Sequence, residues 1–134
     1  MTTGDFYYYC RLGNLNEIKN YVENHCITSE ILQEGLHIVC YDGKLEIVEY
    51  LINHVDTIPM KCLFWCYSAY SNTDEKCCKI LELLLDHGKF VKQFNLKDIC
   101  FYNDVTPYFR ERARELITNY LYGLDSQLYN ENIF

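Results

Sequence analysis

Proline and glycine are scarce in this chain, with two prolines and six glycines among 134 residues. Both residues punctuate short strands and tight turns, so their scarcity argues against a fold built from many short strands. Apolar residues make up 49% of the chain and charged residues 23%, proportions typical of a folded domain. The sequence therefore favours one all-α domain of helices joined by short connections.

Basic residues are also few. Twelve lysines and arginines stand against nineteen acidic residues, which gives a net charge of −7. In the densest basic stretch, Arg110, Arg112 and Arg114 are interleaved with Glu111 and Glu115, a pattern typical of a solvated helix face. Because phosphate binding needs clustered cations, we expect no nucleic-acid partner.

Long apolar runs are missing. No stretch reaches the roughly 20 apolar residues that a membrane-spanning helix needs, so we expect no membrane association. The opening MTTGDFYYYC shows no basic segment followed by an apolar one, which is the pattern of a secretory signal. We therefore expect a cytoplasmic protein whose eight cysteines are reduced thiols.

Metal-binding spacings are weak. The chain has no CxxC pair, although Cys62 and Cys66 stand four residues apart and Cys77 adjoins Cys78. Zinc accepts such ligands, but neighbouring side chains on a helix point about 100° apart, and small buried residues explain the same cysteines. We predict no metal and no cofactor.

Catalytic motifs are missing as well. The chain has no glycine-rich phosphate loop and no GxSxG. His25, His54 and His87 fall near the ends of predicted helices, where an imidazole interacts with the last carbonyls. Nothing in the sequence pairs them with a nucleophile, so we predict no catalytic residues and no enzymatic activity.

What the chain does contain is an internal repeat. Residues 6–24 (FYYYCRLGNLNEIKNYVEN) and 36–54 (LHIVCYDGKLEIVEYLINH) align without a gap, thirty residues apart. Gly13 then matches Gly43, and Cys10 matches Cys40. A third copy begins at Trp65 and a looser fourth at Leu96. Repeats at this spacing are typical of stacked helical units.

Each copy predicts two helices separated by a glycine or asparagine, residues that tolerate the left-handed conformation ending a helix. The second helix carries a spaced set of apolar residues: Leu45, Val48, Leu51 and Ile52 in one copy, and Ile80, Leu81, Leu84 and Leu85 in the next. Neither helix is long enough to be stable alone, so we expect antiparallel pairs to stack. In the fourth copy, Thr106-Pro107 predicts a helix start.

A small residue recurs at one position of the first helix in all four copies, namely Cys10, Cys40, Ala69 and Cys100. A small side chain at a repeated position predicts that helices of neighbouring copies approach closely there. We therefore interpret these three cysteines as packing residues rather than reactive thiols.

The second copy resembles the ankyrin repeat, whose consensus is roughly TPLHLAAxxGHLEIVxxLLxxG. Leu36-His37 matches its LH, Val39-Cys40 its two alanines, and residues 45–48 its LEIV. The resemblance implies an ankyrin-like solenoid of about four helix pairs over residues 1–123, with repeats at 5–28, 29–58, 59–90 and 91–123, and a tail at 124–134. It also implies that His37 makes local hydrogen bonds to the turn.

The chain departs from the ankyrin pattern in its connectors. The DxxGxTP signature of the family's β-hairpin fingers is missing, so we expect short loops in their place. Divergent copies rich in asparagine, tyrosine and isoleucine are similar to those encoded by large DNA viruses. That similarity implies a viral protein acting in the host cytoplasm.

The resemblance implies a function in protein–protein interaction. Ankyrin proteins contact partners through connector tips and through the two positions before each repeat glycine, which here are Arg11, Leu12, Tyr41, Asp42, Tyr70, Ser71, Phe101 and Tyr102. The first position of each pair is Arg, Tyr, Tyr or Phe, and arginine and tyrosine are enriched at interface hot spots. The alternative is that these rings pack half-buried against the next copy.

The N-terminal end of the stack leaves a second hypothesis open. Tyr7 and Tyr8 lie in the first helix, where a terminal repeat needs a polar outer face. Tyrosine can meet this need because its ring is apolar and its hydroxyl is polar. Alternatively, a second chain covers this end. The alternative function is therefore a self-associating assembly protein, with the chain as a monomer or weak homodimer.

Overall fold

The computed structural model describes residues 2–59, 62, 74–90 and 107–133. All regular elements within these ranges are α-helices: α1 (Thr3–Leu12), α2 (Leu15–Asn24), α3 (Ser29–Tyr41), α4 (Leu45–Ile52), α5 (Asp74–His87) and α6 (Pro107–Ile133). The predicted all-α class is confirmed. Within the same ranges, no helix combines the length and the apolar character needed to cross a bilayer.

The helices pack in an order that follows the chain. Helix α1 contacts α2 and α3, α3 contacts α4, α4 contacts α5, and α5 contacts α6. Two residues link α1 to α2 and three link α3 to α4, so each short link folds the second helix of a pair back against the first. The four-residue connector between α2 and α3 is short, as predicted.

The turn inside each pair is built in the same way thirty residues apart. Gly13 has φ 75° and Gly43 has φ 69°, the left-handed conformation predicted for both. The backbone N–H of Asn14 donates to the Tyr9 carbonyl at 3.1 Å, and that of Lys44 donates to the Val39 carbonyl at 2.9 Å. The bond gives the Val39 carbonyl a donor at the helix end, whereas the Tyr9 carbonyl also accepts from the Gly13 N–H at 3.0 Å.

The core contains the apolar positions that the repeat alignment selects. Cys10 and Cys40 are fully buried, in agreement with their interpretation as packing residues. The second helices of the pairs contribute Ile18, Val48, Leu51, Ile52, Ile80, Leu81, Leu84 and Leu85, all buried. Cys100 and Ala69 lie outside the described residues.

Helix α3 differs from the expected first helix in its length. It starts at Ser29, with the Thr28 hydroxyl accepting a hydrogen bond from the Ile31 N–H at 3.3 Å. Residues 34–37, which align with the TPLH of the ankyrin consensus, therefore lie inside the helix and not at its start. The cap explains the difference, because threonine before a helix stabilises an earlier start.

Helix α1 packs tightly against α3 at Gly35. A Cβ atom built on this buried glycine would lie 2.8 Å from Phe6 Cε1 and 3.5 Å from Cys10 Sγ. Phe6 has little room to move, since it is fully buried and its ring stacks on Tyr21 with centroids 5.1 Å apart. The predicted close approach at Cys10 is thus achieved mainly by a glycine on the facing helix.

Polar contacts link the connector after α4 to α3 and to the residues that follow α5. The Gln33 amide donates to Thr57 Oγ1 at 2.8 Å, and the Ile58 N–H donates to the Lys89 carbonyl at 2.6 Å. Ile58 and Phe90 thereby form an isolated parallel bridge. Helix α6 begins at Pro107, as predicted, and continues past the boundary predicted at residue 123.

Candidate functional site

An open cavity of about 400 Å³ lies between α1 and α3. Helix α1 contributes one lining residue from its last turn, and α3 with the residue that caps it contributes the others. The lining residues are Arg11, Glu34, His37, Ile38, Tyr41 and Asp42.

The α3 side of the cavity follows from helix geometry. Residues 34, 37, 38 and 41 are spaced at i, i+3, i+4 and i+7, so they share one face of the helix. The adjacent face carries Gly35, Leu36, Val39 and Cys40, which are buried against the core. The cavity-lining face is less buried, with Glu34, His37 and Ile38 half-buried and Tyr41 exposed.

The cavity combines an aromatic ring with charges of both signs. Tyr41 is 37% exposed, so its ring both packs and remains accessible. His37 Nδ1 lies 3.5 Å from Glu34 Oε1. Arg11 and Asp42 make no ion pair with any residue in the described ranges. The described lining thus holds two carboxylates, one guanidinium and one imidazole, with the imidazole beside the Glu34 carboxylate.

Three of the eight predicted partner-binding residues meet in this cavity, namely Arg11, Tyr41 and Asp42. Leu12 is 55% exposed but does not line it. The other four, Tyr70, Ser71, Phe101 and Tyr102, lie outside the described residues.

Sequence reasoning missed Glu34, His37 and Ile38 as lining residues. Helical spacing back from Tyr41 points to these positions, but only the packing of α1 against α3 makes them a cavity wall. The repeat pattern therefore predicted Arg11, Tyr41 and Asp42 as site residues but not the other three lining residues.

The predicted second interface presents one accessible ring. Tyr8 is 57% exposed, whereas Tyr7 is half-buried, with its ring centroid 5.9 Å from that of Phe6. Tyr8 does not line the α1–α3 cavity, so the two surfaces are distinct.

The cysteine beside the cavity is suited to packing and not to chemistry. Burial raises the pKa of the Cys10 thiol from 9.0 to about 12, against a smaller opposing effect of the Arg11 charge. A thiol with that pKa stays protonated at neutral pH and is a poor nucleophile. None of the six cysteines in the described ranges is in a disulfide: Cys10, Cys26, Cys40, Cys62, Cys77 and Cys78.

All three histidines predicted near helix ends lie there. His87 is the last residue of α5, and its Nδ1 accepts from the Lys89 N–H at 3.4 Å. His25 Nδ1 lies 3.1 Å from the Tyr21 carbonyl, and His54 Nδ1 lies 3.0 Å from the Tyr50 carbonyl. Each of these two imidazoles thus meets a last-turn carbonyl of its own helix. Over the described part of the chain, no group of three or more histidine, cysteine or acidic side chains is placed to hold a metal ion.

Comparisons of the chain with protein-family models, with curated proteins and with solved structures found no match. The features of the chain that bear on its function are therefore the repeat and the cavity between α1 and α3.

Proposed function

We propose that the chain is a divergent ankyrin-repeat protein that recognises a protein partner through the α1–α3 cavity. The observation that carries this proposal is the meeting of Arg11, from the first copy, with Tyr41 and Asp42, from the second, in one cavity. All three occupy the positions before the repeat glycine, where ankyrin-like units contact their partners.

The repeated turn supports the ankyrin-like assignment. The same backbone hydrogen bond recurs thirty residues apart, next to glycines with the same left-handed conformation. Solenoids of this kind present an extended surface made of equivalent residues from successive units. A partner segment laid across that surface would meet Arg11 and then Tyr41.

The chemistry of the lining supports recognition over covalent catalysis. Its side chains, among the residues that the structure describes, are arginine, glutamate, histidine, isoleucine, tyrosine and aspartate, and none of these is a serine, cysteine, threonine or lysine nucleophile. Arginine and tyrosine are the residue types that contribute most to binding energy at interfaces. An open cavity with an accessible ring and unpaired charges suits the side chains of a partner.

Affinity capture with a matched variant tests the proposal. The wild-type chain and a Tyr41→Ser/Tyr70→Ser variant are immobilised, and captured proteins are identified by mass spectrometry. We expect the variant to lose a partner that the wild type retains, with little change in melting temperature. If the variant unfolded, these rings would be core residues, and the hypothesis that they contact the partner would be wrong.

The partner class follows from the same resemblance. Repeats rich in asparagine and tyrosine are similar to those of large DNA viruses, so we propose a host protein in the cytoplasm as the partner. Expression of the chain in cultured host cells, followed by crosslinking and capture, tests whether the retained protein is cytoplasmic.

Self-association through the tyrosine-rich end is the second candidate, and the exposure of Tyr8 favours it. Light scattering at micromolar concentration distinguishes the two functions. A stable homodimer that Tyr8→Ser converts to a monomer would support assembly. A monomer that captures another protein would support recognition.

A further inference from the structure

We infer that the α1–α3 cavity accepts an arginine side chain of the partner, with the guanidinium over the Tyr41 ring and against the carboxylate of Asp42. This inference rests on the proposed function and specifies the chemistry of the partner. It follows from the charge of the lining, the exposure of the ring and the shape of the cavity.

The charge of the cavity selects a cation. Among the described lining residues, the Glu34 carboxylate lies 3.5 Å from His37 Nδ1, whereas the Asp42 carboxylate makes no ion pair within the described ranges. The surrounding chain has a net charge of −7, so its field also attracts basic segments. An acidic segment would meet repulsion both in the cavity and on approach.

The Tyr41 ring supplies a flat surface for that cation. A cation within about 6 Å of an aromatic centroid is attracted to the ring face. The chain already contains such a contact, since Lys19 Nζ lies 5.6 Å from the centroid of Tyr50. Tyr41 is exposed enough to make the same contact with a partner.

The carboxylate of Asp42 favours arginine over lysine. It makes no ion pair within the described ranges, so both of its oxygens can accept from an incoming donor. A guanidinium offers two parallel N–H donors to a carboxylate and stacks on a ring at the same time, which an ammonium cannot do. Ile38 on the cavity wall can contact the methylenes of the arginine.

Arg11 then acts as a specificity element. Arg11 is the one arginine or lysine among the described lining residues, and its charge weakens the attraction for a partner cation. Within the described ranges no ion pair neutralises it. Its removal should tighten an arginine-bearing ligand, whereas the loss of Asp42 should weaken it. The two substitutions would have the opposite effects on an acidic ligand.

Selection from a random dodecapeptide library, followed by fluorescence polarisation with synthetic labelled peptides, tests the inference. We expect the peptides whose binding is lost in Tyr41→Ser to share an arginine, and replacement of that arginine by alanine to weaken binding about tenfold or more. Replacement by lysine should weaken it less. Asp42→Asn should cost about tenfold, and Arg11→Met should tighten binding several-fold.

Asp56→Asn is the matched control, because it removes the same charge from an exposed site outside the cavity. If the selected peptides shared an acidic or an apolar residue instead of an arginine, the inference would be wrong and the proposed function would stand. The same holds if Asp42→Asn and Asp56→Asn weakened peptide binding equally. If no selected peptide depended on Tyr41, both the inference and the proposed function would be wrong.

Discussion

At the scale of single residues, Gly35 determines how closely α1 and α3 approach. We expect Gly35→Ala to lower the free energy of unfolding by about 1–2 kcal/mol. The new Cβ atom would meet the Phe6 ring at 2.8 Å, a clash that outweighs the roughly 1 kcal/mol by which alanine favours a helix over glycine. Urea denaturation followed by circular dichroism measures the difference.

Gly4→Ala is the control for this substitution. Gly4 also lies in a helix, but its nearest neighbour to an added Cβ would be Thr2 Oγ1 at 3.6 Å, an ordinary contact. Alanine there should leave the free energy of unfolding unchanged or raise it by up to about 1 kcal/mol. If both variants behaved alike, the close approach at Gly35 would be wrong.

Cys10 predicts how stability changes at high pH. Its pKa is about 12 in the folded chain, against an ordinary value of 9.0. Above pH 9 the unfolded chain therefore loses this proton while the folded chain keeps it, so the free energy of unfolding falls as pH rises. One proton contributes a slope of up to about 1.4 kcal/mol per pH unit, present between pH 9 and 12 and absent below pH 9.

The free energy of unfolding of Cys10→Ala should fall less steeply with pH than that of the wild type between about pH 9 and 10.5. Urea denaturation at each pH measures both slopes. Cys26→Ala is the matched control, since Cys26 is exposed and should leave the slope unchanged. Identical slopes in wild type and Cys10→Ala would contradict the burial of this thiol.

At the scale of elements, the second helices of the first two pairs differ in their N-caps. The Asn14 side chain accepts from the Glu17 N–H at 3.2 Å at the start of α2. Lys44 holds the equivalent position before α4 and makes no side-chain cap bond, although its φ and ψ of −84° and 75° are close to the −88° and 87° of Asn14. One helix is capped and its repeat counterpart is not.

We therefore expect Lys44→Asn to raise the free energy of unfolding by about 0.5–1 kcal/mol, because an asparagine there would cap the α4 N-terminus. The gain is limited by the loss of the Lys44 side chain, which packs beside Gly13. Thermal denaturation checks the shift.

Asn14→Lys provides the reciprocal test and should cost about 1 kcal/mol, since it removes an existing cap. Neither residue lines the α1–α3 cavity, so both variants should bind partners as the wild type does. A loss of stability in both variants would show that the two positions are not equivalent.

At the scale of the whole molecule, the described helices pack on helices near them in the sequence: α1 on α2 and α3, α3 on α4, α4 on α5, and α5 on α6. In such an arrangement stability is close to a sum of unit and nearest-neighbour terms. The α1–α3 cavity lies at one of these interfaces. Changes at that interface should therefore affect recognition and stability together, unless they are confined to the exposed face.

Local sequence signals predicted the repeated features well. The turn glycines Gly13 and Gly43 and the buried Cys10 and Cys40 follow from spacing alone, because a left-handed helix end and an apolar stripe are local properties. The repeat alignment predicted no start for α3, which the Thr28 cap places at Ser29.

The site was only half predictable for a different physical reason. Arg11, Tyr41 and Asp42 could be chosen from their place before the glycine. Glu34 and Ile38 become lining residues only because Phe6 packs on Gly35 and sets the spacing of two helices, a contact between distant parts of the sequence.

The most direct test of the account is a nuclear magnetic resonance titration of the ¹⁵N-labelled chain with a synthetic peptide that carries the partner's binding segment. The account predicts that the largest amide shifts occur at Arg11, Ile38, Tyr41 and Asp42, with little change in α2 and α4. Shifts concentrated in α4 around Glu49 and Asn53, or at Tyr7 and Tyr8, would contradict recognition through the α1–α3 cavity.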